Sequence, residues 1–283
     1  MIHAFELFPA GAQTAFVAVF GLLIGSFANV LIHRLPLSRS VVWPGSKCPA
    51  CDADIAWYDN IPVISWIILG GRCRRCSAWI PARYPMVEAL CSVLLVCLFL
   101  RHGPTWQWAA HGWLVVSIVA LVPIDYRYGI LPDRITLTGI LAGRAFSLVA
   151  AQPGLVRALL GAAAGAAVPL VIRAVYMLKE KGGGVAQDAQ PAEHEEERRE
   201  GMGLGDVKML AMVGAFLGAP GVLLTIMLGS LLGTLIVVPL LMAGKLTMKH
   251  PVPFGPFLGA GAIIAVFWGD SIISWYTGIA FSV

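Results

Sequence analysis

The sequence predicts an all-α polytopic membrane protein with about eight transmembrane helices and a small cysteine-rich domain between the first two. Three observations carry that reading. Of the 283 residues, 58% are apolar and only 13% charged, and the mean hydropathy is +0.79, values outside the range of soluble domains of this length. Apolar runs recur at about the 17–25 residues a spanning helix needs. Two polar blocks, 34–85 and 179–203, interrupt those runs.

The runs lie at 12–33, 86–100, 105–124, 134–151, 156–177, 206–218, 221–243 and 256–280. The second and sixth are short, which tilt, polar ends or neighbouring helices can accommodate. The first is expected to be a retained helix rather than a signal peptide: residues 1–11 contain His3 and Glu6 but no Lys or Arg, and no small-residue cleavage site follows. The chain thus divides into a first transmembrane helix (1–33), a cytoplasmic Cys-rich domain (34–85), helices two to five (86–178), a charged flexible cytoplasmic loop (179–203) and helices six to eight (204–283).

Basic residues stay on the cytoplasmic side during insertion. With the amino terminus outside, sixteen of the 20 Lys and Arg fall on inside segments, Arg101 and Arg157 fall outside, and Arg144 and Arg173 fall within spans. This asymmetry accounts for the net charge of +4 without a nucleic-acid partner, and an even number of spans puts both termini outside. The segment KEKGGGVAQDAQPAEHEEERREGMG reads as a flexible loop from its composition. No internal repeat stands out.

Block 34–85 carries CPAC at 48–51 and CRRC at 73–76. Two C-x-x-C turns can direct four thiolates at one tetrahedral zinc ion, making this a four-cysteine zinc-binding domain with Cys48, Cys51, Cys73 and Cys76 as ligands. Four thiolates leave no position for an activated water, so such a zinc is structural. The alternative is a redox pair or two disulfides, which a reducing cytoplasm disfavours. Cys91 and Cys97, inside the second run, read as packing residues.

Carboxylates near membrane depth are functional candidates by default. Glu88 opens the second run, where it can cap the helix or pair with Arg83. Asp125 ends the third run. Asp133 follows Pro132 ahead of the fourth, as a helix N-cap would. Asp206 opens the sixth run behind Gly201, Gly203 and Gly205. The topology places Asp125 and Asp206 at one depth on the cytoplasmic side. Two carboxylates brought close cannot both ionise cheaply, so one keeps a proton while the other acts as base toward a shared water. The glycines would admit close helix approach or a kink, and simple N-capping by Asp206 remains the plainer alternative.

GLGD at 203–206, with DYRYGILPD at 125–133, resembles the type IV prepilin leader peptidases, Gly-x-Gly-Asp membrane aspartic proteases of the same broad group as presenilin. GSFANVLIHRLP at 25–36, the two C-x-x-C pairs, DNIPVISW at 59–66 and RYPMVE at 83–88 match in the same order. The resemblance implies a bifunctional enzyme of the bacterial inner membrane, serving type IV pilus or type II secretion systems. It would cut the basic leader of prepilins and pseudopilins after a Gly at the cytoplasmic face, then N-methylate the new terminus with S-adenosylmethionine. It implies Asp125 and Asp206 as the catalytic pair, with Gly203, Gly205, Asp133 and Lys208 in support, and associates the cysteine domain, Glu88 and Arg83 with methyl transfer. The acidic stretch 185–200 is longer than the family's usual loop. Another class stays open: a transporter using Asp125 and Asp206 as an ion or proton relay. A metalloprotease lacks H-E-x-x-H, the six histidines being scattered.

Overall fold

The computed structural model describes residues 7–150, 152–182, 203–245 and 253–280. The acidic stretch 185–200 and Gly201 lie outside them. Among the described residues there are eight α-helices, one 3-10 helix (Trp57–Asn60) and no strand: α1 Ala10–Arg34, α2 Ile64–Ile68, α3 Arg83–His102, α4 Trp106–Tyr128, α5 Asp133–Phe146, α6 Leu155–Gly182, α7 Leu204–Met242 and α8 Gly255–Ala280. Six helices, α1, α3, α4, α6, α7 and α8, are long and apolar enough to cross a membrane. The chain is an all-helical, multi-pass membrane protein.

The expected eight spans are six by this measure, for two reasons. The fourth run yields only the 14-residue α5, which ends at Phe146; at 1.5 Å per residue it covers about 21 Å, short of the ~30 Å hydrocarbon core. The sixth and seventh runs share one continuous 39-residue stretch, α7, within which two helical arms meet at a kink: Gly218 (φ 71°, ψ −180°), just before Pro220, is not helical. That φ is open to glycine and strained for other residues, and the proline then starts the second arm without a donor to lose. Helix α6 also continues to Gly182, past the residue where the polar loop was expected to begin.

The chain forms two compact units, Met1–Ile124 and Asp125–Val283, with α4 continuing through the junction. In the first, α1 and α3 touch along a small-residue stripe. A Cβ on Gly21 would stand 2.6 Å from Ser92 Cα, and one on Gly25 2.5 Å from Glu88 Cα. Close backbone approach of this kind is how apolar helices associate within lipid. Two bonds fix the register: Ser92 Oγ donates to Ala18 O at 2.8 Å, and Asn29 Nδ2 to Tyr84 O at 3.0 Å. The GSFAN stretch is therefore packing sequence.

In the second unit, every residue of the first arm of α7 from Met209 to Phe216 is buried. Gly143 of α5 lies against Ala215 and Phe216, Gly161 of α6 against Gly218, and Gly229 of the second arm against Leu258 of α8. A helix apolar all round and buried all round is the expected outcome of such a run. Its amino end is thereby held among α5 and α6, which matters because Asp206 sits there.

Candidate functional site

Asp125 lies in the last turn of α4. Gly129, at φ +66°, ends that helix, its N–H bonding the Asp125 carbonyl at 2.8 Å. Asp125 is 8% exposed, and its Oδ2 has no hydrogen-bond partner among the described residues. Asp206 is the third residue of α7. Gly203 is the N-cap, with extended backbone and no capping side chain, and accepts the Asp206 N–H at 3.1 Å. The plainer expectation, Asp206 as N-cap, is therefore wrong: the cap is glycine and the carboxylate is left for other work. Asp206 is half-buried and within electrostatic reach of Asp125.

Neighbouring residues shape this corner. A Cβ on Gly205 would meet Leu131 Cβ at 3.0 Å, so glycine lets the loop after α4 close onto the start of α7. A Cβ on Gly203 would make only an ordinary contact, 3.9 Å from the Gly205 N. Lys208 Nζ pairs with Asp133 Oδ1 at 2.5 Å, tying the first turn of α7 to the first residue of α5. Asp133 is not the N-cap expected of it; Pro132 holds that position and makes no side-chain cap.

One neighbour was not foreseen. Gly255, the first residue of α8, abuts the Asp125 carboxylate so closely that an added Cβ would stand 2.8 Å from Asp125 Cγ. The signal was present in PVPFGPFL, 251–258, where a glycine beside Pro256 opens the last apolar run. Three helix ends thus meet at this carboxylate corner: the carboxyl end of α4 and the amino ends of α7 and α8.

The first unit holds the second cluster. The Sγ atoms of Cys48, Cys51, Cys73 and Cys76 all lie within 4.8 Å of one another, with Cys48 and Cys76 at 3.8 Å. Ligands about 2.3 Å from a tetrahedral ion stand about 3.8 Å apart, so the thiols fit a metal ion. Each pair sits on the same local loop. Cys48 N–H donates to Ala53 O and Cys73 N–H to Ala78 O; Asp52 N–H donates to Cys48 O and Ser77 N–H to Cys73 O; Ile55 N–H donates to Ser46 O and Ile80 N–H to Gly71 O. Asp52 and Ser77 both have positive φ, 53° and 57°. SKCPACDADI and GRCRRCSAWI are two copies of one knuckle, a repeat that six differing positions hide in the sequence. Backbone N–H groups of Cys76 and Arg75 stabilise the Cys73 thiolate and lower its pKa to about 6, readying it as a ligand. Arg74 grips Asp59 through two charge-assisted bonds, at 2.8 and 2.6 Å, and holds that carboxyl below the usual carboxylate range. The DNIPVISW motif is thereby anchored to the second knuckle.

Glu88 is buried, and its Oε2 accepts the Val63 N–H at 2.8 Å. It does not pair with Arg83, as expected of it; the Arg83 guanidinium lies over the Tyr84 ring, 5.1 Å from its centroid. Cys91 is fully buried, but Cys97 is exposed rather than packed.

Six apolar helices, with carboxylates at the ends of two of them and a four-thiol cluster in the polar segment of the first unit, define a multi-pass membrane protein with chemistry-bearing side chains at its helix ends. Comparison with known proteins takes the assignment further. Residues 19–102 match the bacterial peptidase A24 N-terminal domain, and residues 112–238 match the type IV leader peptidase family. The prepilin leader peptidase/N-methyltransferase of Aeromonas hydrophila is 36% identical, the match covering 92% of each chain. That of Stutzerimonas stutzeri is 35% identical over 96% of this chain and 98% of its own; that of Pseudomonas aeruginosa is 34% identical over 92% of each. No solved structure matches. The chain belongs to the type IV leader peptidase family.

Proposed function

We propose that this protein is an intramembrane aspartic endopeptidase that removes the short basic leader of type IV prepilins and pseudopilins and then N-methylates the new amino terminus. The observation that carries the reading is the buried Asp125 carboxylate within electrostatic reach of Asp206. In the reaction, one aspartate in its ionised form takes a proton from water, which attacks the scissile carbonyl. Its protonated partner donates a hydrogen bond to the developing oxyanion. Gly205 and Gly255 let backbone come close, and the Asp133–Lys208 pair fixes the amino end of α7, with Gly203 as its cap. The location of the carboxylates at helix ends favours peptide cleavage over ion relay, which wants acids near mid-bilayer.

The four cysteines are proposed to hold a structural zinc, since thiolates in a tetrahedral set suit that ion. S-adenosylmethionine supplies the methyl group in the second activity, with the cysteine domain, Glu88 and Arg83 as the associated segment. Glu88 contributes by holding the Val63 amide. The topology that fits is eight membrane crossings, the two arms of α7 and the short α5 counted separately. Both termini then lie outside, and the carboxylates and cysteine domain lie at the cytoplasmic face of a bacterial inner membrane. The domain boundaries follow: 1–33, 34–85, 86–178, 179–203 and 204–283.

The test is leader cleavage by the detergent-purified protein and by its Asp125→Asn and Asp206→Asn variants, alongside methylation of a pre-cleaved pilin. Loss of cleavage in both variants, by at least about 10²–10⁴-fold, with methylation retained, supports the dyad. Near wild-type cleavage by either variant sinks it.

A further inference from the structure

The DNIPVISW segment contains a surface that neither the carboxylates nor the thiols account for. Ile64, Ile67 and Ile68 of α2 are 50%, 65% and 74% exposed, with Ile61 just ahead of them at 39%. Within α2, spacings of three and four residues put Ile64, Ile67 and Ile68 on one face. The opposite face is the one tied to the domain: Ser65 Oγ donates to Tyr58 O at 2.8 Å and accepts the Ile61 N–H at 3.2 Å, while Trp66 Nε1 donates to Ile80 O at 3.0 Å. Polar bonds point inward and isoleucines outward, the inverse of a helix meant for water.

The depth of this face is fixed by one bond. Val63, immediately before α2, donates its N–H to Glu88 Oε2, and Glu88 is the sixth residue of α3, a membrane-crossing helix. Five residues of rise place that carboxylate about 7.5 Å along the helix from its start. The first turn of α2 therefore lies beside the second turn of a membrane-crossing helix, near the end where that helix enters the bilayer and where interfacial helices lie. The domain is also tethered at both ends, leaving α1 at Arg34 and returning through α3 at Arg83. Exposed Trp57 and Trp79 add the amphipathic rings that settle at such boundaries.

We propose that α2 is an interfacial membrane anchor, its Ile64, Ile67 and Ile68 face immersed among phospholipid acyl chains of the leaflet that α3 enters first. The metal-binding knuckles would then be held against the bilayer by this contact as well as by their tethers. The inference rests on the membrane-crossing role of α3 and does not depend on the aspartate reading.

The test places a diazirine-bearing isoleucine analogue at Ile64, Ile67 or Ile68, one at a time, in the full chain reconstituted into vesicles of phosphatidylethanolamine and phosphatidylglycerol. A fourth probe replaces exposed Asp52 on the first knuckle. After irradiation, mass spectrometry counts lipid adducts against water adducts. Only samples with wild-type helical circular dichroism and protease resistance are scored, and three independent positions guard against one that disturbs folding. The expected result is a lipid-to-water ratio at least about tenfold higher at the isoleucines than at Asp52. Equal ratios at all four positions overturn the proposal. So do adducts at the isoleucines that join α2 to another segment of the chain, to a second copy, or to an added prepilin.

Discussion

Replacing Gly255 with Ala isolates the carboxylate corner by adding a single methyl group. The Gly255 backbone is outside the left-handed region, so alanine introduces no backbone strain, and at a helix start it is the better helix former by up to about 1 kcal/mol. The substitution therefore acts through its Cβ alone. That atom would stand 2.8 Å from Asp125 Cγ and 3.3 Å from Asp125 Cβ, whereas ordinary contact begins near 3.4 Å. The carboxylate, or the amino end of α8, must retreat by roughly 0.6–1 Å. A misplacement of about 1 Å in a reacting group costs about 10²-fold in rate, equivalent to about 2.7 kcal/mol of barrier. The assay is kcat for leader cleavage, with methylation of a pre-cleaved pilin measured on the same preparation as an internal check of folding. The expected outcome is cleavage reduced about 10²-fold with methylation and thermal stability unchanged. Cleavage within about threefold of wild type would refute the reasoning, because Asp125 would then be free to move without consequence.

Four further outcomes are expected. Lys208→Met and Asp133→Asn should each cost at most about 0.2–1 kcal/mol of stability, as half-exposed pairs do, yet each should slow cleavage, and the double variant should be no worse than either single one. Gly25→Val should destabilise the α1–α3 contact by about 1–3 kcal/mol, read as a lowered unfolding midpoint, because its side chain must displace the Glu88 backbone. Cys76→Ser should abolish stoichiometric metal binding, measured by elemental mass spectrometry, and open residues 46–80 to proteolysis, while the carboxylate corner in the other unit keeps its structure. Gly218→Ala should lower stability by about 1 kcal/mol or more, since φ 71° is a glycine conformation; an unchanged melting temperature would mean the bend relaxes.

Much of this architecture can be read from the sequence, and where it cannot the reasons are physical. Apolar runs fix helices because lipid leaves the backbone no other partner, so α1, α3, α4 and α8 fall where hydropathy puts them. Run length alone does not count crossings, however: the interruption at Gly218 is a kink between two helical arms that follow each other without a loop, and α5 stops at Phe146 although apolar residues continue. The four thiols and the two carboxylates are visible because cysteine pairs and charges at membrane depth have few other uses. Gly255 is invisible for the opposite reason: its role is to have no side chain, and only coordinates reveal what it makes room for. Glu88 misled for a related reason, because its partner is a backbone amide 25 residues away, a type of contact that leaves no trace in residue identity.

The two knuckles bear on how the cysteine domain comes into being. Each copy is closed by hydrogen bonds between residues no more than nine positions apart, so each can form from its own short stretch of chain without help from the other. What remains is to bring two ready-made halves together, closing a loop of about 20 residues at an entropic cost of about 2.7 kcal/mol. An ion bound by four sulfurs would more than offset that, so the folding of this segment would become, in effect, a metal titration. The chain between two membrane-crossing helices would thus pass from slack to rigid in response to a chemical signal from the surrounding compartment.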